Sequence, residues 1–542
     1  LGVGLVVAFA VACAACGGSA PEVVAPPKPP PGKLGEACTS ASAGVSQGSC
    51  GAGLVCLTSF PGGYCSQVGA CTGGTAFDTL GGELCGKGCA ADTDCRGAGY
   101  GCDPTWSVCV PPGQTVPKAP TCQGTPLAHK AFGKVTALTT AKAGGTTFGP
   151  SAALDKDGSL VVAYNIGLSM LGASTIGTTK ATVGATEVTV ADGDRAAAFE
   201  HDNKVDPWLE EDRNGKLFLA WLGFDGNAAQ QHMQVLVATS DDGGATWSKP
   251  VVASDSAADC AGDQAKCLSS PILTIGPDRN NPKTDVVYVF YNSAVTGGLR
   301  ATHSSDGGAT FSPSAAVGPG MYADAEVTSS GKLHVVYTAA GSGSKLGDPS
   351  NGVYYTNSSD GGATFAAPVR ISPESDAVPV YFSSPNVVVD VPRRLLYAVY
   401  PAGGSDGKWS IVLATSKDGG VTWGRTTVND DPSCATHMLP AAALDPATGK
   451  VHIVWLENRT GQGQVGYAAC ATGGDKCGKN EAASDTPSAS FSLVRGSNRA
   501  LGDSIDAIVD AKHKVLHAVW TQTVDEGGTQ VGRVFTAAAK LK

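Results

Sequence analysis

Charge is scarce in this sequence. Only 16% of its 542 residues are charged, and long amphipathic charged stretches of the helical kind are hard to find. No run of Lys or Arg stands out, and the formal net charge is −10. A nucleic-acid phosphate backbone is therefore excluded as the main partner. There is no HExxH pair and no phosphate-binding loop, so no cofactor is expected. Gly403-Gly404-Ser405-Asp406-Gly407 matches G-x-S-x-G, but it sits in a Gly-rich loop, not in a strand-to-helix elbow, and is read as a chance match. What the chain has in quantity is glycine, 72 residues of it, with Val, Thr and Tyr runs bounded by Gly, Asp and Pro. That composition predicts a mostly β protein with many turns, too long for one ordinary core.

The eighteen cysteines are unevenly spread, thirteen of them before residue 123. The chain opens LGVGLVVAFAVACAACGGSA, an apolar run too short for a full membrane span. Cys13-Ala14-Ala15-Cys16 resembles a bacterial lipobox, with Cys where Leu is usual, and the resemblance implies lipidation at Cys16. A plain cleaved signal peptide is the alternative. Residues 1–16 are read as the signal and 17–34 as a stiff Pro-rich linker. Both readings place the protein outside the cytoplasm; lipidation would put it at a bacterial cell envelope or surface, touching a membrane through its lipid anchor only. Setting Cys13 and Cys16 aside leaves sixteen cysteines, an even number. Ten fall within the 72 residues from Cys38 to Cys109, enough for five bridges in a disulfide-rich domain over 35–122. No CxxC pair and no His occur in that stretch, so a metal is not expected there. Cys260 with Cys267 and Cys470 with Cys477 are close enough to clip loops, and Cys122 with Cys434 would tie the two domains together.

Beyond residue 123 one phrase recurs: an apolar stretch, a polar turn, then an alternating strand ending in an aromatic. PSAALDKDGSLVVAY, PWLEEDRNGKLFLAW and PAAALDPATGKVHIVW are examples. The terminal aromatics are Tyr164, Trp221, Tyr291, Tyr337, Tyr400, Trp455 and Trp520. Each unit begins with two strands and a tight turn, and units this small must stack to bury their faces. A β-propeller over 129–542 follows, with the apolar starts as innermost strands buried on both faces. Seven phrases favour seven blades, six being the alternative. HKAFGKVTALTT (129–140) could supply the outer strand missing after VGRVFTAA (531–538).

A second phrase follows four of these units, as SDDGGATW, SSDGGATF twice, and SKDGGVTW. The pattern Ser-x-Asp-x-Gly-x-Thr-Trp/Phe resembles the Asp box, or BNR repeat, of the sialidase-like propellers. The matching positions are Ser240, Asp242, Gly244, Trp247; Ser304, Asp306, Gly308, Phe311; Ser358, Asp360, Gly362, Phe365; and Ser416, Asp418, Gly420, Trp423. The resemblance implies turn locks on an outer rim, away from any catalytic mouth. Asp and Ser close such a turn by hydrogen bonding, and Gly supplies the left-handed backbone.

A sialidase of that superfamily would need three arginines, a Tyr nucleophile with a Glu, and an Asp acid/base. The family's Arg-Ile-Pro is missing, and Arg213, Arg279, Arg393 and Arg394 lie in hairpin turns. Arg195, Arg300 and Arg499 remain, and no triad assembles from them. The residues leading into the inner strands are the candidates for a site: Asp206, Tyr322, Asp324 and Glu326 for catalysis, and Glu200, His201, Asp202, Trp208, Tyr381, His437, Asp503 and Asp506 for binding. Their carboxylates, imidazoles and aromatic rings suit sugar hydroxyls or a cation. The expected role is recognition of an extracellular glycan or protein by a monomer. A glycoside hydrolase is the alternative, and an envelope scaffold the second.

Overall fold

The computed structural model describes residues 30–541 except 41–44, 58–59, 68–70, 72, 80–81, 98, 112–114, 116–121, 141–144, 168–173, 185–186, 197–198, 200, 226–230, 256–266, 340–350, 379–383, 404–407, 432–433, 489–503 and 528. Cys16, Glu200, Cys260, Tyr381, Arg499 and Asp503 therefore lie outside the described residues, as does the side chain of Arg195.

The N-terminal domain is built on short hairpins joined by five disulfides: Cys38–Cys56, Cys50–Cys65, Cys71–Cys85, Cys89–Cys102 and Cys95–Cys109. Each bridge spans 13 to 18 residues, so each closes a small loop. The bridges are helped by a small aromatic core of Phe60, Tyr64, Phe77 and Tyr100. Arg96 covers that core, its guanidinium 3.8 Å from the Tyr100 ring centre.

The large domain consists of seven four-stranded antiparallel sheets. Their inner strands are Thr147–Leu154, Asn203–Glu211, Leu268–Pro277, Met321–Val327, Asn386–Asp390, His437–Leu444 and Asp506–Asp510. Each packs beside the inner strand of the next blade, and the seventh packs beside the first. This is a seven-bladed propeller. The ring is closed by joining the two ends of the domain. Thr136–Ala137 is the outermost strand of the seventh blade, with Phe535 opposite Ala137 and Thr536 opposite Thr136. Blade one takes all four of its strands from the chain that follows.

One expectation about burial is corrected. The most fully buried strands are the second ones, such as Leu333–Ala339 and Val451–Glu457. Inner strands alternate buried and half-buried residues. The second strand lies between two neighbouring blades, whereas the inner strand turns one side toward the axis, where polar side chains keep some water contact.

The four Asp boxes share one geometry. In the blade-five copy the Ser416 hydroxyl donates to Asp418 Oδ1 (2.8 Å) and accepts the Gly420 N–H (2.8 Å). The Thr422 N–H donates to Asp418 Oδ1 (2.9 Å) and its hydroxyl to Oδ2 (2.5 Å). Both glycines of each box have positive φ, for example 79° and 98° at Gly419 and Gly420. The Thr422 and Ser416 bonds hold Asp418 down to about pKa 2, and the Thr364 and Ser358 bonds do the same for Asp360.

The box is also a contact between blades. Its second glycine sits on the preceding blade: Gly244 on Val161, Gly308 on Phe218, Gly362 on Tyr288 and Gly420 on Tyr355. A Cβ at Gly420 would collide with the Tyr355 ring. Blade six has a covalent version of the turn. Cys470 and Cys477 stand where Ser416 and Trp423 stand in blade five and are bonded to each other. Gly473 and Gly474 keep the positive φ of a box, and the Gly473 N–H donates to the Tyr397 hydroxyl of the preceding blade (2.9 Å).

Candidate functional site

The inner strands begin at one end of the ring, the mouth. Five of them enter through a bulge whose turning residue is left-handed: Gly149, Asp206, Ser270, Tyr322 and Leu439, with φ between 50° and 60°. Four of these five are not glycine, and such backbone is costly for L residues. Bulges re-aim side chains next to sites, and here they turn Asp206 and Tyr322 at the mouth. The Asp206 N–H is held by Asn165 Oδ1 (3.1 Å).

Blade two adds a polar cluster at the same end. His201 Nδ1 lies 3.0 Å from Asp225 Oδ1, and His232 Nδ1 lies 3.2 Å from Oδ2. Both histidines are left-handed, with φ of 78° and 51°. Lys204, the only cationic residue on an inner strand, gives its ammonium to the His201 carbonyl (2.7 Å), and burial pulls its pKa down. Asp202 donates its N–H to Asp225 Oδ1 (3.4 Å).

The other candidates are placed differently from expectation. Asp324 is buried, and its Oδ2 accepts the Val387 N–H (2.8 Å) and the Asn386 amide (2.7 Å) of the next blade. Glu326 accepts the Val389 N–H (2.7 Å). Asp506 accepts the Ala152 N–H of blade one (2.8 Å). Ser151 accepts the Leu209 N–H (3.0 Å), and Asn386 Oδ1 accepts the Ala442 N–H (2.9 Å). These side chains stitch four of the seven neighbouring pairs of inner strands together, and Asp324 and Glu326 each accept a backbone N–H of the next blade. Trp208 is half-buried against the cores that blade three shares with blades two and four, its Nε1 toward Glu210 (3.3 Å).

His437 is likewise withdrawn from the mouth. It is 1% exposed, with Nδ1 2.7 Å from the Trp409 carbonyl and Nε2 3.0 Å from Asp431 and 3.7 Å from Glu457. Glu457 in turn holds Arg459 and the Trp455 indole (3.1 Å). This buried ion cluster anchors the connection between domains. Cys434 lies within it in sequence and is bonded to Cys122, and Gly124 donates its N–H to the Arg459 carbonyl (2.5 Å). Cys267 is disulfide-bonded to a partner outside the described residues.

No arginine lies on any of the seven inner strands. Arg300 is engaged with Ser314, Arg370 with Ser372 and Asn351, and Arg213 with Asp285.

Burial deep in the ring pushes the axial carboxyls up, Asp324 and Asp506 to about 7 and Glu326 to about 8. Burial pushes His334, His452 and His517 down to about 4. The carboxyls bind protons in the fold that the unfolded chain releases above about pH 4. Their effect on stability is therefore lost as pH rises toward 8. The histidines bind protons only on unfolding, which costs stability as pH falls from about 6.5 to 4. The axial groups are more strongly shifted at neutral pH, so the melting temperature at about pH 5.5 is expected to exceed that at about pH 8.5. Scanning fluorimetry across pH checks this; a flat or rising profile above pH 6 would contradict it.

Residues 325–501 match the family model described as BNR repeat-like domain. That stretch runs through blades four, five and six and holds two of the four Asp boxes, at Ser358 and Ser416. The large domain is a seven-bladed propeller, and its blades four to six are similar to a BNR repeat-like domain. Similar solved structures include a Dyadobacter fermentans protein of unknown function (14% identity, TM-score 0.44, covering 79% of this chain and all of that one). Another is a leech intramolecular trans-sialidase complexed with 2,7-anhydro-Neu5Ac (12%, 0.41, 61% and 67%). A third is an α-L-arabinofuranosidase of Fusarium graminearum (11%, 0.38, 78% and 98%). No curated protein matches the chain.

The propeller gives the box Thr a role, and holds residues, that sequence reasoning missed. The Thr of each box grips the Asp through both N–H and hydroxyl, and its fixed place four residues after the Asp was the available signal. Asp225 and His232 lie outside the phrases used to find candidates and carried none.

Proposed function

We propose that the propeller is a non-hydrolytic recognition module for an uncharged glycan, bound at the mouth and displayed outside the cytoplasm. The observation that carries this reading is the set of strained bulges at the mouth. They hold Asp206 and Tyr322 in conformations that folding alone does not favour, at the end of the ring where blade two carries its His201–Asp225–His232 cluster. Hydroxyl-bearing ligands suit such carboxylates, imidazoles and a phenol. The arginine-free inner strands speak against a carboxylate-bearing sugar as ligand. The disulfides fit an oxidising compartment, and lipidation at Cys16 with a Pro-rich spacer would tether the module to a membrane. A glycan array probed with the full chain, and with Asp206→Ala and Tyr322→Ala, tests the reading. Neutral glycans should be retained by the parent and weakened at least about tenfold by either change. Equal binding by all three proteins, or selective capture of sialylated glycans, would refute it.

A further inference from the structure

The hairpin turns joining first and second strands all lie on the face opposite the mouth, because the inner strands begin at the mouth. Every one of the seven carries Lys or Arg. Lys156, Arg213, Lys283, Arg394, Lys450 and Lys512 are exposed there, and the blade-four turn adds half-buried Lys332.

The turns also touch one another around the axis. Arg213 of blade two donates to the Thr284 carbonyl (3.2 Å) and to Asp285 (2.6 Å) of blade three. Gly215 lies against Lys156, and Gly331 against Arg279. Arg393 donates to the Ala447 carbonyl (3.2 Å) of blade six, and Gly158 lies against His513 of blade seven.

The acids of the same turns face inward. Asp155 accepts the Asp157 and Ser159 N–H groups (2.9 Å each), and Asp212 those of Asn214 and Lys216 (2.8 and 2.9 Å). Asp445 and Asp510 accept from Ala447 and His513 (3.0 and 2.9 Å). Asp155, Asp390, Asp445 and Asp510 are buried. Among the described acids of these turns, only Asp157 is exposed. A chain of net charge −10 thus presents outward cations close to the axis on one face.

The Asp boxes end the third strands on this same face, farther from the axis, with Asp242, Asp306, Asp360 and Asp418 exposed. The face is a basic centre with an acidic collar. A flat anionic membrane would meet both zones and be repelled by the collar. A single polyanionic chain lying across the axis meets the basic centre with far less of the collar.

We infer that the face opposite the mouth is a second binding surface, for a polyanionic glycan chain bearing sulfate or uronate groups. This site is independent of the mouth and of its neutral ligand. Heparin is the probe, in about 50 mM salt, with neutral dextran and phosphatidylglycerol vesicles beside it. The full chain should bind heparin, and affinity should fall steeply with salt, as contact-released counterions require. Lys283→Glu/Arg394→Glu/Lys512→Glu should lower heparin affinity at least about tenfold and flatten the salt slope by on the order of one unit per lost contact. The triple Gln variant guards against a folding defect and should lose affinity as well, with an unchanged circular dichroism spectrum. No heparin binding at low salt, undiminished binding by both triple variants, or binding to vesicles in preference to heparin would each overturn the inference.

Discussion

Replacing Glu457 by Ala is expected to cost about 3–5 kcal/mol, the penalty of leaving buried charge uncompensated. Glu457 is fully buried and holds the Arg459 guanidinium, itself 5% exposed, through both carboxylate oxygens. His437 and the Trp455 indole face the same carboxylate. Without it, Asp431 is the one buried acid left beside Arg459 and His437, and its Oδ2 already has no hydrogen-bond partner. Nearby Asp430 is 42% exposed and a weak substitute. Urea unfolding followed by tryptophan fluorescence measures the loss. Glu457→Ala with Arg459→Met should cost clearly less than Glu457→Ala alone, because the orphaned cation is removed. A loss under about 1 kcal/mol for the single change would show that the cluster is solvated.

The second large effect is expected at the seam that closes the ring. Phe132 is 5% exposed and sits in the core shared by blades six and seven, edge-on to Tyr467 at 5.1 Å. It bridges to Ala539 just ahead of the closing strand Thr136–Ala137. That strand has two paired residues, and the bonds Gly133 N–H to Ala538 C=O (2.9 Å) and Leu138 N–H to Val534 C=O (2.8 Å) flank it, so Phe132 supplies the large apolar contact of a short seam. Phe132→Ala should cost about 3–5 kcal/mol and open the seam before the rest of the ring. Hydrogen exchange should show the last strand, Thr529–Lys540, losing protection first. Uniform loss across all blades would contradict a seam held by Phe132.

These two sites also mark how far the sequence could be read. The seven phrases, four boxes and terminal closure were legible because each repeats, or completes, a local pattern. Cys470–Cys477 was legible as a clip but not as a box, since its likeness lies in the two left-handed glycines and in the docking on Tyr397. The axial carboxylates were misread for a different reason. Asp324 reaches the Val387 N–H, 63 residues later, and nothing local announces that partner. His437 looked like a mouth residue by register, yet Asp431 and Glu457 close over it. The basic face escaped notice because it has no run of charge: single residues at one position of each repeat converge only when the ring closes.

The central claim is that the mouth recognises a glycan while the axial carboxylates hold blades together and do no chemistry. The most direct test is reducing-end release from a glycan that the full chain retains, measured on the parent, Asp324→Asn and Glu326→Gln. The account predicts no release by any of the three proteins and binding preserved in both variants that remain folded. Release by the parent, abolished in a folded Asp324→Asn or Glu326→Gln, would contradict it.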